Sequence, residues 1–119
     1  MKEIFVVEDD TDIREMLEFL LESENYKVQS FPTAESFLNQ LDLQRPDLIL
    51  LDIMLPDGNG VTICEELKTE EKNLFLPIIL MSAHINTSSF RKSCADDFIA
   101  KPFDIEDLSH QNKDTTPKV

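Results

Sequence analysis

The sequence predicts an α/β fold, a three-layer sandwich with helices on both faces of a parallel sheet. Three observations predict it. Short, uninterrupted apolar runs recur along the chain, as strands buried on both faces require. Segments with helical spacing of apolar residues lie between them, and alternation of this kind implies right-handed βα crossovers. The chain has 119 residues, 41% hydrophobic and 29% charged, which suits one core and leaves no room for a second domain of ordinary size.

Each element can be justified in order. The first run, residues 4–7, ends at the acidic triplet Glu8-Asp9-Asp10. A helix follows in which Ile13, Met16, Leu17, Leu20 and Leu21 repeat at i, i+3, i+4, i+7 and i+8, so they should face a core. The carboxylates around Thr11 and Asp12 favour its start through capping and the helix dipole. Residues 27–31 are a weaker strand candidate, and a second helix starts near Thr33 with Phe37, Leu38 and Leu41 inward. The third run, 48–51, leads into Asp52. Asp57-Gly58-Asn59-Gly60 reads as a turn with no assigned chemistry, and a third helix follows Gly60 with Val61, Cys64 and Leu67 inward. The fourth run, 78–81, delivers Ser82. A fourth helix is expected over about 86–93, with Phe90 as its apolar anchor. A fifth strand, 98–100, leads into Lys101-Pro102, and a last helix opens at Asp104 with Ile105 and Leu108. The domain should span 1–109, leaving 110–119 as a polar tail or linker.

Charge narrows the function. Acidic residues number 24 against 11 basic ones, a formal net charge of -13. That field repels phosphate backbones and anionic membrane surfaces, so neither direct nucleic-acid binding nor membrane binding is expected. No apolar run is long enough for a bilayer span, and 4–7 is too short for a signal-peptide core, so a cytoplasmic location is the expectation. Cys64 and Cys94 form no CxxC pair and read as half-buried thiols. His84 and His110 have no partner at a ligand-like spacing.

The ends of the runs carry the chemistry. In open α/β sheets the ligand crevice lies at the carboxyl ends of the strands, where Glu8, Asp9 and Asp52 would crowd together. Two carboxylates at ~4 Å and an effective dielectric near 20 repel by roughly 4 kcal/mol. Protons, a lysine or a hard divalent cation must hold them. An oxygen-only donor set open to water suits Mg²⁺. Ser82 adds a hydroxyl and Lys101 a movable ammonium, both fitted to oxyanion charge. An aspartate nucleophile, a metal and a lysine together make a phosphoryl-transfer site.

Four motifs carry a family resemblance. Val6-Val7-Glu8-Asp9-Asp10, Leu51-Asp52-Ile53-Met54-Leu55-Pro56-Asp57-Gly58-Asn59-Gly60, Met81-Ser82-Ala83 and Ala95-Asp96-Asp97-Phe98-Ile99-Ala100-Lys101-Pro102-Phe103 resemble those of the receiver domain of bacterial two-component response regulators, including the stand-alone chemotaxis type. The resemblance implies a flavodoxin-like fold with five parallel strands in the order 2-1-3-4-5. It places Asp52 at the phosphoacceptor position, taking its phosphoryl group from a sensor histidine kinase or a phosphotransfer protein. It implies Mg²⁺ held by Asp9, Asp52 and the Met54 backbone carbonyl, with Glu8 holding metal-bound water. Lys101 would pair with the phosphoryl group, Ser82 would close onto it, and Phe98 would be the switch residue behind it. Small Ala83 would leave the phosphoryl group room, while Met54 and His84 would tune how fast the phosphate is lost.

The resemblance also implies a signalling module that catalyses only its own phosphorylation and dephosphorylation and switches binding of an output protein. Residues 84–93 are shorter than the family's usual spacing by about three residues, so the fourth helix should be short or irregular. Two other readings stand beside it. A Mg²⁺-dependent phosphohydrolase with an aspartate nucleophile would need another acid two places after Asp52, where Met54 stands. A phosphate-independent interaction module would normally lack the acceptor or the lysine, and only the altered fourth-helix region favours it.

Overall fold

The structure is a computed structural model that describes residues 1–82 and 96–100. Five strands form one parallel sheet: β1 (Glu3–Val7), β2 (Lys27–Phe31), β3 (Leu48–Asp52), β6 (Ile78–Ser82) and β7 (Asp97–Ala100). Their order is β2-β1-β3-β6-β7, which is 2-1-3-4-5 when these five are counted along the chain. Three helices are described: α1 (Thr11–Ser23), α2 (Ala34–Leu41) and α3 (Gly60–Lys68). The expected fourth helix near 86–93, the last helix from Asp104 and the tail 110–119 lie outside the described residues.

Strand alternation builds two cores, one on each face. Phe5, Val7, Ile49, Leu51, Ile78 and Leu80 point to the side covered by α2 and α3. Ile4, Val6, Leu48, Leu50, Ile79 and Met81 point to the side covered by Leu17 and Leu21 of α1. This is why the runs are continuous in sequence: both alternating sets are buried. Phe5, Phe31 and Phe37 meet with ring centroids 5.0 to 6.4 Å apart, joining β1, β2 and α2.

The ends of the helices have specific chemistry. Asp10 caps α1 by accepting from the Ile13 N–H at 3.1 Å. At the other end Asn25 takes the left-handed conformation (φ 70°), and the N–H groups of Asn25 and Tyr26 return to the Glu22 and Leu21 carbonyls. Asp96 accepts from the Ile78 N–H at 2.8 Å and pairs with Lys68 at 3.6 Å, fixing where β7 joins β6.

Four expectations need correction. Met16 is exposed, because it sits on the flank of α1 beyond the stripe formed by Leu17 and Leu21. Val61 packs against the core but is only partly buried, whereas Ile63, two residues on, is buried in it. Cys64 is fully buried and disulfide-bonded rather than a half-buried thiol, whereas Cys94 lies outside the described residues. Residues 57–60 belong to more than a turn. Met54–Leu55 (β4) and Gly58–Asn59 (β5) pair antiparallel in a small hairpin, and Asn59 then caps α3 through the Val61 and Thr62 N–H groups.

Candidate functional site

The parallel register brings the carboxyl ends of β1 and β3 side by side, with Val7 opposite Leu51. Glu8 therefore follows β1 where Asp52 closes β3. One carboxylate oxygen from each of Glu8, Asp9 and Asp52 lies within 4.8 Å of the others. Glu8 is wholly buried and Asp52 nearly so, while Asp9 is exposed. The acidic triplet thus divides: two members enter the cluster and Asp10 serves as a helix cap.

Unit charges at that spacing repel by about 3 kcal/mol at an effective dielectric near 20, less where exposed Asp9 is screened by water. The surroundings arrange the cluster. The Arg14 guanidinium, one turn into α1, donates to the Glu8 carbonyl at 2.9 Å and the Asp9 carbonyl at 3.5 Å. It fixes the backbone that carries both acids. The Met54 N–H donates to Asp52 Oδ1 at 3.3 Å. Gly60 makes room beneath: a Cβ there would sit 2.4 Å from the Asp52 carbonyl oxygen and 2.9 Å from Ile53 Cα. Its N–H donates to the Ile53 carbonyl at 2.7 Å, so only a residue without a side chain allows this return of the chain.

The donor set fits a hard divalent cation. It is all oxygen, two-thirds of it buried, and open to water at Asp9. The Met54 residue begins β4 beside it, with an exposed side chain. Ser82 ends β6, half-buried, with Ala100 as its register partner in β7, one residue before Lys101. Phe98 stands in β7 opposite Leu80. The expectations for the Phe98 side chain and for Ala83, His84 and Lys101 lie outside the described residues.

Sequence reasoning missed Arg14 and Asp57. Arg14 acts on backbone carbonyls, which leave no sequence signal. Asp57, at the tip of the β4–β5 hairpin, accepts from the Ala34 N–H at 2.8 Å and the Glu35 N–H at 3.0 Å at the start of α2. Those backbone amides, Ala34 first, hold its carboxyl below the ordinary carboxylate range. A separate cleft of about 240 Å³ between α2 and α3 shares no residue with the acid cluster. Its one guanidinium, Arg45, is occupied by Asn73 Oδ1 and the Lys72 carbonyl.

Among the described residues, no helix is long and apolar enough to cross a membrane. Residues 4–113 match the response regulator receiver domain. The phosphate regulon transcriptional regulatory protein PhoB of Escherichia coli (strain K12) is 37% identical over 110 residues, covering 90% of this chain and 48% of PhoB. The chain spans about half the length of the curated relatives it matches. Its structure is similar to the chemotaxis response regulator CheY4 of Vibrio cholerae, with a TM-score of 0.90 over 97% of this chain and 98% of that one. At 21% identity that likeness establishes the fold. The receiver domain of the sensor histidine kinase PA1611 of Pseudomonas aeruginosa PAO1 has a TM-score of 0.84 at 28% identity, covering 96% of each chain, and carries a magnesium ion in its active site cleft. With the acid cluster at the carboxyl ends of β1 and β3 and the match running through nearly the whole chain, this protein belongs to the response regulator receiver domain family.

Proposed function

We propose that the protein is a Mg²⁺-dependent phosphoacceptor of a two-component pathway, taking a phosphoryl group from a histidine kinase onto Asp52 and thereby switching the binding of an output protein. The observation that carries this reading is the meeting of Asp52 with Glu8 and Asp9 at the carboxyl ends of adjacent strands. The magnesium ion in the PA1611 receiver supports the choice of cation.

Asp9, Asp52 and the Met54 carbonyl would hold the cation directly, and Glu8 would hold its water. When bound, the cation supplies positive charge that offsets the acids and the incoming phosphoryl oxygens. An Asp52 carboxylate oxygen attacks phosphorus, the phosphorus–nitrogen bond to the donor imidazole breaks, and that imidazole leaves with the electron pair and takes a proton. The Met54 N–H on Oδ1 holds the carboxylate so that its other oxygen can be the nucleophile. Ser82 and Lys101 grip the product oxygens, and Phe98 fills the space that Ser82 vacates. Ala83 leaves room, while Met54 and His84 set access for the water that removes the phosphate. On this reading the chain turns over no separate substrate. It catalyses only its own phosphorylation and dephosphorylation, it works in the cytoplasm, and residues 1–109 carry the whole function.

Intact mass after incubation with Mg²⁺ and a small phosphodonor tests the assignment. Wild type should gain ~80 Da, one phosphoryl group, and Asp52→Asn should gain nothing. A gain retained by the variant would place the acceptor elsewhere. No gain in wild type, with no Mg²⁺-dependent response to beryllofluoride, would favour a phosphate-independent interaction module.

A further inference from the structure

The β4–β5 hairpin is fixed at three places. At its root, Met54 donates to Asp52 and Gly60 donates to Ile53. At its side, Gly58 packs against α3 and α2, where an added Cβ would meet Ile63 Cδ1 at 3.3 Å and Ala34 Cβ at 3.8 Å. At its tip, the two oxygens of Asp57 each accept one amide of the first turn of α2. A carboxylate on the N–H groups of a helix start is a charge-assisted contact favoured by the helix dipole. Here it is made between parts of the chain 22 and 23 residues apart, by a residue that is itself exposed.

We infer that Asp57 is a positioning residue for the acceptor site: by fixing the hairpin tip to α2, it sets the place of Met54, whose N–H holds Asp52 and whose carbonyl is a proposed cation donor. The inference deepens the reading given under "Proposed function" and rests on it for the cation. Its simplest rival is that Asp57 only stabilises α2. Thr33 separates the two, because its hydroxyl caps the same helix by accepting from the Ser36 N–H at 3.1 Å, a bond within the helix start rather than to the hairpin.

The experiment is a calorimetric Mg²⁺ titration of the full chain as wild type, Asp57→Ala, Asp57→Asn and Thr33→Ala, with hydrogen exchange at the Met54 amide measured in cation-free buffer. Asp57→Ala should weaken Mg²⁺ binding roughly tenfold, as loss of a residue that orients a ligand does. Asp57→Asn, which keeps one acceptor oxygen, should fall between it and wild type. Thr33→Ala should stay within about twofold of wild type. Exchange at Met54 should quicken in Asp57→Ala and not in Thr33→Ala. Equal weakening by Asp57→Ala and Thr33→Ala, or an unchanged affinity together with unchanged exchange in Asp57→Ala, would overturn the inference. If wild type binds no Mg²⁺, the proposed function fails instead, and the Met54 exchange rates alone decide whether Asp57 positions the hairpin.

Discussion

At position 60 one methyl group would strain the passage from β3 into α3. The Cβ of an alanine would press on the Asp52 carbonyl oxygen at 2.4 Å, and the obstacle is backbone, which cannot swing aside like a side-chain end. Gly60→Ala should therefore lose about 1–3 kcal/mol, read as a lower urea midpoint with an unchanged slope. A midpoint equal to wild type would mean that the Asp52–Ile53 backbone yields freely. The acids of the site were legible in the sequence because each follows an apolar run, and the end of a parallel strand has a known place. Arg14 and Asp57 were not, because their partners are main-chain carbonyls and amides that every residue possesses. Gly60 was legible as a helix boundary, and its contact with Asp52 was visible only in three dimensions.

Among the elements, α2 shows how a helix of eight residues is held from both ends of its chemistry. Phe37 packs its ring into the trio with Phe5 and Phe31 and is wholly buried. Phe37→Ala should cost about 3–5 kcal/mol in chemical unfolding, and a smaller loss would show that α2 can collapse onto β1 and β2. The cap from Asp57 adds a pH signature. Its carboxyl titrates below the ordinary range when folded, so its contribution is complete above the unfolded carboxylate value, near pH 4, and is lost as pH falls through the folded value. The difference in urea midpoint between wild type and Asp57→Asn should accordingly be largest at neutral pH and shrink toward pH 3. A constant difference would show that the α2 amides do not hold the charge. The long strands could be read from the sequence because burial on both faces leaves an unbroken apolar run. The β4–β5 pair could not, since two residues per strand display no period. Met16 misled because an i, i+3 rule marks a stripe wider than the face that Leu17 and Leu21 bury.

Taken as a whole, the molecule carries a net charge of -13 and concentrates three of its acids at one end of the sheet. Its stability should therefore depend on divalent cations with a sign that one substitution reverses. In a chelator, Asp9→Asn removes repulsion and should melt above wild type, by about 4 °C for each kcal/mol relieved. With Mg²⁺ at a hundred times its dissociation constant, wild type should gain about 2.7 kcal/mol and the variant much less, so the order inverts. The same order in both buffers would remove Asp9 from the cation site. Beneath that cluster lies the feature with the longest reach in time. β1 and β3 are buried along their whole length, between two separate cores. Their amides have no local route to solvent and should exchange only when the entire domain opens. The acids of the cluster therefore stand on a platform that local motion does not loosen. If the proposed phosphorylation of Asp52 holds, charge can come and go at the site while the two strands that present the acids stay closed.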